Sequence, residues 1–213
     1  MGAPLTCRPV CLKQLDAFIL AGGQGRRLNR DKVHLELPNG RVLANLIDLC
    51  GDLFRTVTLV VDRAQRIHNP PAGVRIMADV IPGSGPLGGL LTGLGVASSR
   101  TSFVTACDLP FLNREIIHFV ARRMADQDVL VPARGDAIEP LVGFYAKTCS
   151  DAIRRSIERG DLRVRGFWPE VRTEVVDLAG SFRPGDLDTW LLNVNTRREL
   201  QIAEAVASSG TWE

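Results

Sequence analysis

The residues of this chain that could do chemistry begin in a glycine-rich segment near its N-terminus. An apolar run, Ala17 to Leu20, leads directly into Ala-Gly-Gly-Gln-Gly, and Arg26, Arg27 and Lys32 follow within ten residues of the first glycine. Glycine adopts positive φ without a Cβ penalty, so such a loop lets several backbone N–H groups converge on one point. Cations at this short spacing suit a polyphosphate. The pattern predicts a triphosphate site at the end of a buried strand.

Two common phosphate-binding motifs do not fit this loop. The P-loop needs a second glycine followed by Lys and then Ser or Thr, and no glycine of this chain is followed by that pair. The dinucleotide fingerprint needs a third glycine where Leu28 stands, and the acidic residue expected ~20 positions later is also missing. This argues against a nicotinamide oxidoreductase. Taken alone, the loop is also consistent with a plain glycine turn beside solvated arginines.

The elements that must position this loop alternate between strands and helices. Apolar, β-branched runs predict strands at 17–20, 57–61, 74–78, 102–106 and 128–133, a further apolar run at 140–146 and an edge strand at 171–176. Helical spacing and caps predict helices at 42–54, 90–97, 114 to about 125, 151–159 and 197–207. Between them we expect an extended piece at 35–37, a second glycine loop at 82–89 and a polar surface loop at 180–185.

This alternation predicts a mostly parallel sheet that is covered by helices on both faces. We therefore expect a single-domain, Rossmann-like, three-layer α/β/α fold over residues 16–213, preceded by an N-terminal extension of residues 1–15. Ligands of such folds bind beyond the carboxyl ends of the strands. The first glycine loop, Asp79 and Asp108 all follow predicted strands. Their positions predict one shared site.

Composition excludes several classes of partner. The 213 residues carry 26 cationic and 24 anionic side chains, and a net charge of +2 offers no general affinity for nucleic acid or an anionic membrane. No apolar stretch approaches the ~20 residues of a membrane span. The N-terminus lacks the long apolar core of a signal peptide, so we expect a cytoplasmic protein. The five cysteines are scattered, and their spacing does not predict a zinc site.

Five segments, taken together and in order, carry a resemblance to a known family. They are LAGG at 20–23 with DK at 31–32, GPLGGLLTGL at 85–94, TACDLPFL at 105–112, EPLVGFY at 139–145 and NVNTRREL at 193–200. They resemble the molybdenum cofactor guanylyltransferases, the MobA family of GT-A-like nucleotidyltransferases, over about residues 16–207. The sequence departs from that family at Asn29, where glycine is usual, and at Arg197, where proline is usual.

The resemblance implies a reaction. It is the Mg²⁺-dependent transfer of GMP from GTP to the terminal phosphate of molybdopterin, with release of pyrophosphate. The acceptor brings its own nucleophile, so catalysis would consist mainly of positioning and of neutralising charge. Alternatives stay open: cytidylyl transfer to the same pterin, nucleotidyl transfer to a sugar phosphate or phospholactate, or a non-catalytic GTP-binding partner protein. Proteins of the molybdenum cofactor pathway are candidate partners.

The resemblance also implies roles on the nucleotide side. Asp108 would hold Mg²⁺, and Lys32 and Arg27 would contact the phosphates. These three residues would be the catalytic ones. Asp79 would accept the two N–H groups of the guanine edge, although a turn cap or a second metal contact explains it equally well. The backbone N–H groups of residues 21–24 would line the nucleotide. The remaining GTP-binding residues would lie at the start of the first loop, and they are Leu20, Ala21, Gly22 and Gly23.

Base and acceptor selectivity rest on fewer residues. Gly22 favours GTP, because cytidylyl relatives tend to carry Leu-Ala-Ala-Gly at this position. Asn193 and Asn195 could hold the acceptor phosphate or the metal, or could only form a turn and a helix cap. Arg163 and the neighbouring Arg165 could bind the acceptor phosphate, or could belong to a solvated loop.

Overall fold

The structure is a computed structural model that describes residues 11–22, 34–62 and 73–210. The strands are β1 (Asp16–Leu20), β2 (Glu36–Leu37), β3 (Gly40–Arg41), β4 (Thr56–Val61), β5 (Val74–Ala78), β6 (Thr101–Ala106), β7 (Val129–Arg134), β8 (Ala137–Ile138), β9 (Val142–Ala146) and β10 (Thr173–Asp177). The helices are α1 (Val42–Leu53), α2 (Gly85–Val96), α3 (Arg114–Ala121), α4 (Ser150–Glu158), α5 (Pro184–Trp190) and α6 (Arg197–Ser209). Short 3₁₀ segments lie at Leu12–Gln14, Lys147–Cys149 and Val164–Glu170.

The main sheet is mixed but mostly parallel, as predicted. Its order is β10-β7-β9-β6-β1-β4-β5, with β8 paired to β7. Strands β6, β1, β4 and β5 run parallel to one another, whereas β9 runs antiparallel to both β6 and β7. Val142 at the start of β9 is therefore paired with Thr105 near the end of β6. The residues just before β9 consequently lie at the carboxyl edge of the parallel strands.

Apolar side chains cover both faces of this sheet and produce the predicted three layers. Alternate residues of β1 point to opposite faces, with Ala17 and Ile19 in one core and Phe18 and Leu20 in the other. Helices α1, α3 and α6 pack on the first core, and α2 and α4 pack on the second. In the part of the chain that the structure describes, no helix is long and apolar enough to cross a membrane.

Helix α2 begins earlier than the sequence predicts. The expected glycine loop at 82–89 is wrong for its second half, because the helix starts at Gly85, five residues before the expected Leu90. Pro86 lies in the first turn, where a missing N–H costs nothing and the fixed φ favours the helix. The glycines that follow belong to the helix itself.

Close packing explains these helical glycines. A Cβ atom on Gly88 would lie 2.4 Å from Oδ2 of Asp79, and one on Gly93 would lie 2.8 Å from the ring of Phe18. The glycines therefore let α2 approach the sheet and the loop after β5 more closely than any other residue would. A glycine-rich stretch here indicates tight contact rather than a loop.

Other elements differ from expectation in the second half of the chain. Helix α3 is capped by Asn113 as predicted but ends at Ala121, and the N–H groups of Arg123 and Met124 bond the carbonyls three residues before them in a tighter turn. The side chain of Gln127 then bonds the carbonyl of Arg123 and the N–H of Ala125. The 3₁₀ segment Val164–Glu170 and helix α5 were not predicted. Helix α5 begins inside the expected loop at 180–185. The edge strand at 171–176 is confirmed as β10.

A buried carboxylate fastens the opposite, N-terminal end of β1. Asp16 is 3% exposed and accepts hydrogen bonds from the N–H groups of Ser98 and Ser99 at 2.7 and 3.0 Å. The guanidinium of Arg55 and the hydroxyl of Thr56 bond its other oxygen at 2.9 and 2.8 Å. Burial acts to raise the pKa of Asp16, but these bonds prevail and the pKa is lowered well below its ordinary value.

Candidate active site

A cavity of about 290 Å³ lies at the carboxyl edge of the sheet, beyond the ends of β1 and β6. Several elements that are distant in sequence contribute to its wall. Its lining residues are Leu20, Gly22, Pro86, Ala106, Cys107, Asp108, Glu139, Pro140, Leu141, Asn193 and Asn195. Four of the five segments that carried the resemblance therefore contribute directly, and the first glycine loop contributes through its opening residues.

The structure brings the start of the glycine loop and Asp108 to this same cavity. Asp108 follows β6 and is 8% exposed, and the N–H of Cys107 beside it donates to the carbonyl of Leu20 at 3.1 Å. Parallel pairing of β1 with β6 thus sets the two strand ends side by side. The predicted residues Gly23, Arg27 and Lys32 lie outside the described residues.

Ala21 differs from expectation in its backbone. Its N–H donates to the carbonyl of Val60 at 2.8 Å, because pairing with β4 continues one residue beyond the end of β1. This N–H is therefore engaged within the sheet, and the role of the backbone of residues 21–24 in lining the nucleotide stays a prediction. Gly22 is the next residue, and it is exposed in the cavity wall.

Asp79 lies apart from the cavity at Asp108. Its Oδ1 accepts from the N–H of Ile81 at 2.9 Å and from the hydroxyl of Thr92 at 3.1 Å, so it caps its own turn and ties that turn to α2. Burial, and to a smaller degree the charge of Asp62, raise the pKa of Asp79, while these two bonds act against the rise. The turn-cap role is thus present in the structure, and a role in reading guanine stays a prediction.

Asn193 and Asn195 are held beside Asp108 by the backbone. The residue between them, Val194, donates its N–H to the carbonyl of Asp108 at 2.9 Å. On the C-terminal side the predicted capping box is confirmed, with the hydroxyl of Thr196 accepting from the N–H of Glu199 and the Glu199 carboxylate accepting in return. One short segment therefore both starts α6 and lines the cavity.

Sequence reasoning missed Glu139 as a residue of this cavity. Its carboxylate accepts from Nδ2 of Asn193 at 3.2 Å. Burial is the main cause that raises the pKa of Glu139; the charge of Asp108 adds to it, and the hydrogen bond from Asn193 and the charge of Arg134 oppose it. The sequence signal was its place at the start of EPLVGFY, one of the segments that carry the resemblance, and this segment reaches the site because β9 runs antiparallel to β6.

Arg163 and Arg165 line a neighbouring cavity of about 670 Å³, which shares Pro140 with the first. Arg163 forms an ion pair with Asp161 at 2.8 Å and its side chain is 83% exposed. That pairing raises the pKa of the Arg163 guanidinium and lowers the pKa of Asp161 to about 2. The arginines therefore stand next to the Asp108 cavity rather than in it.

The comparisons with known proteins agree with this arrangement. Residues 17–172 match the model of the MobA-like NTP transferase domain. The chain belongs to this family. Nucleotidyl transfer is accordingly its class of reaction. The match covers most of the chain and includes β1, the start of the glycine loop, Asp108 and Glu139.

Curated relatives of the MobA-like family extend the match beyond residue 172. A protein of Pelotomaculum thermopropionicum named "Probable molybdenum cofactor guanylyltransferase" is 30% identical over 92% of this chain and 95% of its own length. The molybdenum cofactor guanylyltransferase of Desulfosudis oleivorans is 29% identical over 91% of this chain and 96% of its own.

Solved structures agree on the fold. The molybdopterin-guanine dinucleotide biosynthesis protein A of Archaeoglobus fulgidus superposes with a TM-score of 0.75 at 22% identity, over 92% of this chain and all of that one. A 2-C-methyl-D-erythritol 4-phosphate cytidylyltransferase of Thermus thermophilus superposes with a TM-score of 0.62 at 16% identity, over 92% of this chain and 99% of that one. The architecture is thus one that nucleotidyltransferases of different substrates share.

Proposed function

We propose that this MobA-like chain transfers GMP from GTP to the terminal phosphate of molybdopterin. A phosphate oxygen of the acceptor would form a bond to the α-phosphorus of GTP, and the bond to pyrophosphate would break. The observation that carries this proposal is the single cavity that Gly22, Asp108 and Asn193 line together. Names of the relatives supply the substrates, since the cavity alone does not distinguish one nucleotide or acceptor from another.

The donor atoms at this cavity fit a magnesium ion. In the described ranges, no cluster of three or more His, Cys, Asp and Glu side chains could hold a metal by itself. Mg²⁺, however, is usually held by one or two carboxylates together with phosphate oxygens and water. Asp108, with Asn193 and Asn195 beside it, offers oxygen ligands of that kind. A bound Mg²⁺ would neutralise charge on the triphosphate and the leaving pyrophosphate.

The remaining roles concern the chain's own charges and backbone. Asp108 follows the end of β6 and is largely buried. Its carboxylate would therefore be held in one place, without a cost in side-chain entropy during the reaction. We propose that Lys32 and Arg27 contact the phosphates and that Asp79 reads the guanine edge. The exposed Arg163 would assist the acceptor phosphate from the neighbouring cavity only if it exchanged its pairing with Asp161.

The decisive experiment measures pyrophosphate release with each of the four nucleoside triphosphates, with and without molybdopterin and Mg²⁺. We expect release with GTP only, and only when acceptor and metal are both present. Asp108→Asn should lower kcat by roughly 10²–10³-fold, the usual effect of removing a group that stabilises transition-state charge. The matched control is Asp52→Asn, an equal charge change at an exposed residue of α1 that pairs with Arg114 at 3.4 Å.

Two results would contradict this proposal. Release of pyrophosphate with CTP at the rate seen with GTP would show that the protein does not select GTP as its substrate. Binding of GTP without turnover, unaffected by Asp108→Asn, would identify a non-catalytic GTP-binding protein. Thermal unfolding of the Asp108 variant separates a catalytic effect from a loss of fold.

A further inference from the structure

The amide nitrogen of Asn193 is held by two acceptors of the protein. Its Nδ2 donates to Oε2 of Glu139 at 3.2 Å and to the carbonyl of Leu191 at 3.4 Å. A carboxamide nitrogen carries two N–H groups. Both of them are therefore committed to atoms of the protein.

These two partners determine which way the amide faces. If the amide were rotated by 180°, its oxygen would meet a carboxylate oxygen and a carbonyl oxygen, and lone pairs would oppose lone pairs. The orientation thus follows from the chemistry of Glu139 and Leu191. The Oδ1 atom of Asn193 is left with no hydrogen-bond partner among residues 11–22, 34–62 and 73–210. It is the polar atom that this side chain can offer to a ligand in the cavity.

We infer that Glu139 is a positioning residue, which fixes the Asn193 amide so that an oxygen rather than a nitrogen is presented to the cavity beside Asp108. This inference rests on the proposed function. An oxygen lone pair binds a cation or a hydrogen-bond donor and repels a phosphate oxygen. Of the two ligand roles considered for Asn193, the orientation therefore favours the divalent cation carried by the triphosphate over the acceptor phosphate.

The charges around the cavity favour the same ligand. Asp108 and Glu139 both line it, and they are close enough for the charge of one to affect the other. Among the lining residues that the structure describes, two neighbouring carboxylates and an outward amide oxygen form a negative wall. Such a wall attracts Mg²⁺ and disfavours direct contact with a phosphate oxygen.

A pair of near-isosteric substitutions tests this inference. Glu139→Gln keeps an acceptor oxygen for Nδ2 of Asn193 and removes only the charge. Glu139→Met keeps the length of the side chain and removes the acceptor. The readout is the affinity for Mn²⁺ in the complex with a non-hydrolysable GTP analogue, measured by the EPR signal of free Mn²⁺, so that neither acceptor nor turnover is needed.

We expect Glu139→Met to weaken Mn²⁺ binding about tenfold, the equivalent of roughly one hydrogen bond. Glu139→Gln should retain affinity within about threefold, because the orientation survives. In the background of Asn193→Ala, the further change Glu139→Met should have no additional effect, since a residue that acts through Asn193 has nothing left to position. With GTP and molybdopterin, kcat should follow the Mn²⁺ affinity while KM for GTP changes little.

The control is Asp188→Asn, an equal charge change at an exposed residue that lines the adjacent cavity with Glu139 and pairs with Arg134. Equal losses in Glu139→Gln and Glu139→Met would show that the charge itself binds the ligand, and would overturn the positioning role. Multiplicative effects of Glu139→Met and Asn193→Ala would overturn it as well. Failure of the wild-type protein to bind the GTP analogue with Mn²⁺ would instead contradict the proposed function.

Discussion

The buried carboxylate of Asp16 gives a stability prediction with a defined pH dependence. In Asp16→Asn one side of the new side chain becomes an NH₂ group. Each carboxylate oxygen faces groups that can only donate: the N–H groups of Ser98 and Ser99 on one side and the Arg55 guanidinium on the other. The hydroxyls of Ser99 and Thr56 also contact the carboxylate. Whichever way the amide faces, donors meet donors. The substitution therefore cannot preserve the network.

The magnitude follows from these contacts. A hydrogen bond to a charged group contributes roughly 1.5–3 kcal/mol, and the two bonds from Ser98 and Ser99 are short and buried. The ion pair adds little, about 0–1 kcal/mol, because the side chain of Arg55 is 42% exposed. We expect Asp16→Asn to lower the free energy of unfolding by about 3 kcal/mol at pH 7, and Asp16→Ala by about 3–5 kcal/mol.

The sign of the pH dependence follows from the lowered pKa. Because the folded protein binds the proton of Asp16 more weakly than the unfolded chain does, this residue stabilises the fold fully above the unfolded pKa of about 4. The stabilisation is lost as pH falls below that value, toward the folded pKa. The difference between wild type and Asp16→Asn should therefore be constant from pH 5 to 7 and shrink below pH 4.

Urea unfolding followed by circular dichroism at pH 7 and at pH 3.5 measures both effects. Asp52→Asn, which removes an exposed ion pair, serves as the control and should change the free energy by less than about 0.5 kcal/mol. A loss below about 1 kcal/mol for Asp16→Asn at pH 7, or a difference that does not diminish in acid, would refute the reasoning.

Two further predictions concern the choice of base. A Cβ atom on Gly22 would lie 3.4 Å from the N–H nitrogen of Asp62, an ordinary contact, so Gly22→Ala should change stability by less than about 0.5 kcal/mol. If this position favours GTP, the ratio of GTP to CTP turnover should fall in that variant; an unaltered ratio would remove Gly22 from base selection. Asp79→Asn should reduce the preference for GTP over ITP about tenfold in kcat/KM, because inosine lacks the 2-amino group that a carboxylate would read. Equal preferences in wild type and variant would leave Asp79 only as the cap of its turn.

Periodicity and caps were sufficient to predict the elements that build the sheet. Buried strands such as β1 and β4 appear as largely apolar runs, and Asn113 and Thr196 mark helix starts by hydrogen bonds that involve only nearby residues. Such signals are local, so a single sequence contains them. The position of Asp108 at a sheet edge follows from the same information, because every parallel strand ends at that edge.

The features that escaped prediction depend on contacts between distant residues. Helix α2 was partly mistaken for a loop because the space that requires Gly88 and Gly93 is set by Asp79 and Phe18. Glu139 was missed because its position depends on the direction of β9, which the sequence pattern does not indicate. The face that Asn193 presents depends on Glu139, 54 residues away in sequence.

The bond from Val194 to Asp108 has a consequence for how the chain can be divided. The match to the family model ends at residue 172, before β10 begins, and yet the hydrogen bond from the N–H of Val194 joins the later segment to the loop that carries Asp108. A fragment trimmed to the family model would keep β1, β6 and Asp108 but would open one side of the cavity to water. The candidate active site therefore needs a longer part of the chain than the segment that the family model matches.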